Sequence, residues 1–184
     1  MRTKLLALTY SAWSEAQISQ ILYTPDAFTS SEISNILKIK KSSGITAGWN
    51  KLLAISLDKV ITTKEERNKK KKELRKYIDT YIRKQSQIRN NIAHGQWINT
   101  IEKNPQKVTE SNNRLNNLNV VDIMIEYKIH TILGKIIRDL VQSPNNGFKG
   151  NYINHINNLK SYLNKTKNWT ISNKFTRITP KFNY

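Results

Sequence analysis

The chain has 184 residues, a length that allows one domain with a buried core. It carries 31 Lys and Arg residues against 13 Asp and Glu, a formal charge of +18, and it contains no cysteine. The lack of cysteine excludes disulfide scaffolds, zinc ribbons and thiol nucleophiles. No apolar run approaches the roughly 20 residues of a membrane span, and the first ten residues do not form a secretory signal. We therefore expect a cytoplasmic protein with no membrane partner.

The positive charge favours a polyanionic partner, with nucleic acid first. A second explanation stands beside it, because 23 Lys, 22 Asn and 24 Ile are also what an AT-rich genome produces. The charge is concentrated in residues 64–84, which hold ten basic and four acidic residues, and no acidic residue follows Asp139. A tail of one sign suits a phosphate backbone, and it equally suits a solvated extension.

Helical periodicity dominates the first sixty residues. Residues 1–23 predict a helix that Pro25 ends. The inward stripe predicted for this helix is Leu5, Leu8, Ala12, Ala16 and Leu22. Residues 29–32 predict a capping box that opens a short second helix, and residues 40–48 are interpreted as a loop. Trp49 begins the next apolar stripe and is predicted to lie in the core.

Residues 64–94 predict one long amphipathic helix or two in tandem, ended by Gly95. Its apolar stripe is Leu74, Ile78, Tyr81, Ile82, Ile88 and Ile92. Residues 100–119 are interpreted as a loop, and two further apolar helices follow. The sequence therefore predicts an all-α bundle of five to six helices over residues 1–164, with an irregular basic C-terminal extension at residues 165–184.

Residues 89–95, Arg-Asn-Asn-Ile-Ala-His-Gly, are interpreted as a candidate active site, with a helix C-terminus stabilised by a cationic His as the alternative. Asn90 and His94 are four residues apart, so they share one helix face. Arg89 and His94 are about 140° apart around the axis and about 7.5 Å apart along it. A straight helix therefore does not aim both at one phosphate. Either the helix ends early, or a second copy of the chain supplies the missing group.

This motif, in an all-α chain, resembles the signature of the HEPN superfamily of ribonucleases. The resemblance covers residues 1–164 and implies a homodimer that cleaves single-stranded RNA without a metal or cofactor. It implies that Arg89 and His94 are catalytic, with Asn90 orienting the imidazole or binding phosphate. The role implied is that of a toxin or anti-phage defence effector, restrained by an antitoxin or another defence protein. Some family members carry a modifiable Tyr two residues after the His, where this chain has Gln96, so that form of control is not expected.

Further residues complete the predicted site. Arg83, Lys84 and Trp97 are predicted to contact RNA, and Glu15 is a candidate auxiliary carboxylate or a surface residue. The histidines at 130 and 155 lack neighbouring ligands at metal spacing and are interpreted as helix-surface residues, so no metal is predicted. The alternative to an endoribonuclease is a catalytically inactive HEPN-type module that binds RNA or protein. A basic DNA-binding helical protein is a third hypothesis, without a defensible helix-turn-helix spacing.

Overall fold

A computed structural model describes residues 2–95 and 116–178. This part of the chain is helical, and it contains no β-strand. The helices are α1 (Arg2–Leu22), α2 (Ser30–Ser43), α3 (Ile45–Asp58), α4 (Lys64–Tyr77), a π-helical turn (Ile78–Ile82), α5 (Arg83–Ala93), α6 (Val120–Gln142), α7 (Gly147–Thr166) and α8 (Ile171–Ile178). The prediction of an all-α protein is confirmed.

Seven helical rods are present in the described ranges when α4, the π turn and α5 are counted as one continuous rod. This exceeds the predicted five to six, because α8 lies in the segment predicted to be irregular. The Thr170 hydroxyl accepts the Asn173 N–H at 3.1 Å and caps this helix. Lys174 lies 3.1 Å from the centre of the Trp169 ring, which in turn contacts Tyr162. The irregular-arm prediction is therefore wrong for residues 171–178.

The connection between α2 and α3 is a single residue, so the predicted loop at residues 40–48 is also wrong. Helix α2 continues to Ser43 and α3 begins at Ile45. Only Gly44 leaves helical geometry, with φ of 87°, a conformation that favours glycine. The capping box at the start of α2 is confirmed, since Thr29 accepts the Glu32 N–H and Glu32 accepts the Thr29 N–H.

Two apolar clusters form the core. The larger cluster joins most of the helices around Trp49, which is fully buried as predicted. The smaller one joins α1, α5 and α6. Its buried members are Ala7, Tyr10, Ile88, Ile92 and Ile123. The smaller cluster fixes α5 against α1, and the motif residues lie at the end of α5.

The buried face of α1 differs from the predicted stripe. Leu5, Ala12 and Ala16 are exposed. The buried residues are Ala7, Tyr10, Ser11, Ser14, Gln17, Ile18, Ile21 and Leu22. Gln17 packs over Gly134 of α6, where a β-carbon would collide with the Gln17 amide. The inward face of α1 is therefore partly polar. Leu22 is buried and Leu8 packs against the smaller cluster, so the predicted stripe is wrong only for its other three members.

His130 is fully buried, so its interpretation as a helix-surface residue is wrong. Its Nδ1 is hydrogen-bonded to the Tyr10 hydroxyl at 3.2 Å, and the same hydroxyl donates to the Glu126 carbonyl at 3.3 Å. The centroid of its ring lies 5.0 Å from that of Trp13 and 5.4 Å from that of Trp49. Burial among these groups lowers the pKa of His130 to about 3. The imidazole is therefore neutral in the folded protein at cellular pH.

Acid is expected to weaken the fold through His130. Between pH 6.5 and about 3, the unfolded chain binds a proton that the folded imidazole does not. The free energy of unfolding therefore falls as pH drops through this window, by up to about 1.4 kcal/mol per pH unit. Urea unfolding at pH 7, 6 and 5 should show a larger loss for the wild type than for the His130→Asn variant. Equal losses would contradict this assignment.

Glu126 also makes stability depend on pH, with a sign opposite to that of His130, and the comparison with His130→Asn removes its contribution. Burial raises the pKa of Glu126, so its folded form holds a proton more readily than its unfolded form. This carboxyl group therefore loses stabilisation as pH rises, the opposite sign to His130. Because Glu126 is present in both proteins, its contribution cancels in the difference to a first approximation.

Candidate active site

The motif residues lie where α5 ends. Arg89 and Asn90 belong to the last turn of α5, and His94 is the residue that caps it, with φ of −88° and ψ of 18°. Its backbone N–H still donates to the Asn90 carbonyl at 3.0 Å. Gly95 then adopts φ of 74°, which confirms it as the residue that ends the helix. Helical geometry is thus lost at His94 itself, and its side chain is exposed.

Arg89 is held by two side chains. Its Nη1 donates to Asn90 Oδ1 at 3.1 Å, and its Nη2 lies 3.7 Å from Glu15 Oε1. The side chains of Arg89 and Glu15 are 41% and 42% exposed, so the guanidinium keeps access to solvent while its direction is constrained. The structure therefore brings together three predicted site residues, from α1 and α5.

His94 stands apart from this cluster. Within the described residues, no hydrogen bond or ion pair joins its side chain to Arg89. The imidazole is exposed at the C-terminal end of α5. One copy of the chain therefore presents a positioned guanidinium and amide, with an exposed imidazole further along the same helix end.

Lys84 is partly exposed, and its ammonium group pairs with a buried carboxylate. Its Nζ lies 2.6 Å from Glu126 Oε1, and the Gln85 amide donates to the other carboxylate oxygen. Glu126 is buried, and that burial raises the pKa of its carboxyl group, while Lys84 acts in the opposite direction. The main contact of Lys84 is therefore this ion pair between α5 and α6.

The remaining predicted contacts have different surroundings. Arg83 is exposed and pairs with Asp79 one turn earlier, at 3.0 Å. Trp97 lies outside the described residues, as does Gln96. His155 of α7 is half-buried and forms a hydrogen bond with Asp139 of α6 at 3.0 Å. Arg83 thus remains available on the outer face of α5.

Sequence reasoning missed the polar group beneath the site. Tyr10, Gln85, Glu126 and His130 link α1, α5 and α6 through buried hydrogen bonds. The available signal was a polar residue repeated at four-residue spacing on the apolar helix α6, at Glu126 and His130. Because buried polar groups need partners, this network fixes the relative positions of the three helices that carry the site.

No protein-family model, curated protein or solved structure matches this chain. In the two described ranges, no helix combines the length and apolarity needed to cross a membrane. The same residues contain no group of three His, Asp or Glu side chains placed to hold a metal ion.

Proposed function

We propose that this protein is a metal-independent endoribonuclease of the HEPN type that cleaves single-stranded RNA. The observation that carries the proposal is the cluster at the end of α5. Arg89 is held by Asn90 at 3.1 Å and lies 3.7 Å from Glu15, and the exposed His94 follows at the end of the same helix. This set combines a positioned phosphate-binding group with a proton-exchanging group on a rigid element.

The reaction is an internal transfer at one phosphate. A base takes the proton of a ribose 2′-OH, whose oxygen attacks the adjacent phosphorus. The bond from phosphorus to the 5′-oxygen breaks, and an acid returns a proton to that oxygen. The products are a 2′,3′-cyclic phosphate and a 5′-OH. Arg89 stabilises the charge that develops on the phosphoryl oxygens, and His94 exchanges the protons.

A second copy of the chain is part of the proposal. In a concerted transfer, one imidazole cannot remove one proton and deliver another at the same moment. A twofold homodimer with its axis near the end of α5 brings a second His94 to the phosphate. Light scattering is expected to give the mass of a dimer. A monomer that still cleaves RNA would remove this part of the proposal.

The experiment that tests the activity uses RNA and a chelator. Purified protein is incubated with end-labelled single-stranded RNA in EDTA, and the fragment ends are analysed by mass spectrometry. We expect fragments with 2′,3′-cyclic phosphate ends, because the internal transfer needs no metal. RNA that carries 2′-O-methyl groups should stay intact, since its attacking oxygen is blocked. Cleavage of the methylated RNA would contradict this chemistry.

A non-catalytic binding module is the second candidate. It is favoured by the ion pair between Arg89 and Glu15. The Glu15 carboxylate partly neutralises the positive charge that Arg89 would need to stabilise a phosphate during cleavage. A module of this kind shifts RNA in a salt-dependent way and leaves it intact. We propose a role as a toxin or defence effector, restrained by a partner protein, only for the endoribonuclease. If the protein does not cleave RNA, this role is withdrawn as well.

A further inference from the structure

A basic cleft lies between the junction of α2 with α3 and the outer face of the α4–α5 rod. It has a volume of about 650 Å³ and is open to solvent. Its cationic lining residues are Lys51, Lys71, Arg75 and Arg83. Asn90 lines the same cleft, so the cleft reaches the residue that holds Arg89.

The charge of this basic cleft is largely uncompensated. Among the described residues, Lys51, Lys71 and Arg75 form no side-chain ion pair, and no carboxylate lines the cleft. Arg83 alone is paired, with Asp79. Cations gathered at one concave surface repel one another, and an anionic ligand relieves that repulsion.

Helix geometry places these cations in line with the motif. Lys71 and Asn90 are 19 residues apart, which in a regular α-helix leaves them about 100° apart around the axis. The π turn at residues 78–82 takes up one extra residue, which reduces the separation to 18 residues, or about five whole turns. Both residues consequently line one cleft, about 27 Å apart along the rod.

The start of α3 adds to the preference for anions. Gly44 occupies the N-cap of α3 and supplies no side-chain acceptor to the first-turn N–H groups. Ile45 and Thr46 of that turn line the cleft. These N–H groups and the positive end of the helix dipole supplement the cations, which remain the principal feature.

We infer that the basic cleft binds the phosphate backbone of the single-stranded RNA that flanks the cleaved bond and leads it to Arg89. This inference rests on the proposed function and assigns it a substrate path. A strand of several nucleotides spans the distance of about 27 Å along the rod from Lys71 to Asn90. Arg75 and Lys71 contact phosphates, so the path selects for charge and not for base sequence.

The test measures binding separately from cleavage. The probe is a fluorescent single-stranded 2′-O-methyl RNA 20-mer, which the proposed reaction cannot cut. The cleft variant is Lys71→Gln/Arg75→Gln. Its matched control is Lys128→Gln/Lys135→Gln, two exposed cations of α6 that are absent from the cleft lining. Both variants lose two charges, so non-specific attraction falls equally.

We expect the cleft variant to raise Kd by about 10-fold at 0.1 M salt and to lower the salt slope by about 1.4, the value for two phosphate contacts. The control should stay within about 2-fold of the wild type. Equal losses in both variants would overturn the inference, and so would equal wild-type affinity for duplex DNA of the same length. Lys51→Gln, on the opposite wall, serves as a second variant if the double variant loses its helical circular dichroism.

These outcomes distinguish the two proposals. If the wild type cuts RNA and the cleft variant cuts and binds like the control, the cleft inference fails while the endoribonuclease proposal stands. If the cleft variant loses affinity while the wild type produces no fragments, the endoribonuclease proposal fails and the cleft remains a single-strand binding site.

Discussion

The His94→Ala variant is expected to cleave single-stranded RNA about 10³-fold more slowly than the wild type. Removal of the imidazole removes the general acid or base that the proposal assigns to the motif, and general acid–base catalysis contributes about 10²–10⁴-fold. The measurement is the initial rate of cyclic-phosphate formation in EDTA. Since the His94 side chain is exposed and makes no hydrogen bond within the described residues, its removal should leave the unfolding midpoint unchanged.

The control for this variant is His155→Ala, which removes the other histidine that is not buried in the described ranges. It lies on α7 and pairs with Asp139, so it should keep wild-type activity. Arg89→Lys extends the test, because it keeps the positive charge and loses the planar fork that fits a phosphate. We expect it to slow cleavage by about 10²-fold. Wild-type rates in both His94→Ala and Arg89→Lys would contradict the proposed active site.

The Lys84→Ala variant is expected to lower the free energy of unfolding by about 2 kcal/mol at pH 7. Glu126 is buried, and its carboxylate would lose the cation that lies 2.6 Å away. Breaking a buried ion pair costs about 3–5 kcal/mol, and the 42% exposure of the Lys84 side chain reduces this figure. Urea unfolding at pH 7 measures the loss. At pH 5 the loss should be smaller, since an unpaired Glu126 takes up a proton more readily.

A second substitution identifies the cause of this loss. In Lys84→Ala/Glu126→Gln the buried charge is gone, so most of the stability should return. Lys135→Ala, an exposed lysine of α6, is the matched control and should change stability by less than about 0.5 kcal/mol. A double variant as unstable as the single one would show that the ion pair is not the cause. The same proteins test whether Lys84 contacts RNA. If the double variant regains stability but binds RNA more weakly than the wild type, the lost contact is that of Lys84.

The sequence by itself determined the features that depend on neighbours along the chain. The capping box at Thr29 and the helix end at Gly95 are local hydrogen-bond and dihedral requirements, so their residue types predict them. The all-α class follows from apolar residues at helical spacing, and Trp49 lies in the core as its phase indicates. The grouping of Arg89 with Asn90 is likewise local, because the two residues are adjacent.

The tertiary structure alone decided which polar groups face inward. The inward face of α1 carries Gln17 because Gly134 of α6 leaves room for its amide, and no pattern within α1 contains that information. His130 is buried because Tyr10, 120 residues away in the chain, supplies its hydrogen bond. Lys84 faces Glu126 for the same reason, since a buried carboxylate requires a cation from another helix.

The basic cleft shows most clearly the difference between what the sequence predicts and what tertiary packing decides. The charge of +18 is plain in the composition, but a composition does not show which cations share a surface. The π turn rotates α4 relative to α5, and the single-residue connection at Gly44 sets the opposite wall. A rotation of about 100° in one rod depends on how its two ends pack against different neighbours. That packing is non-local, and it gathers four of the cations at one cleft, which Asn90 also lines.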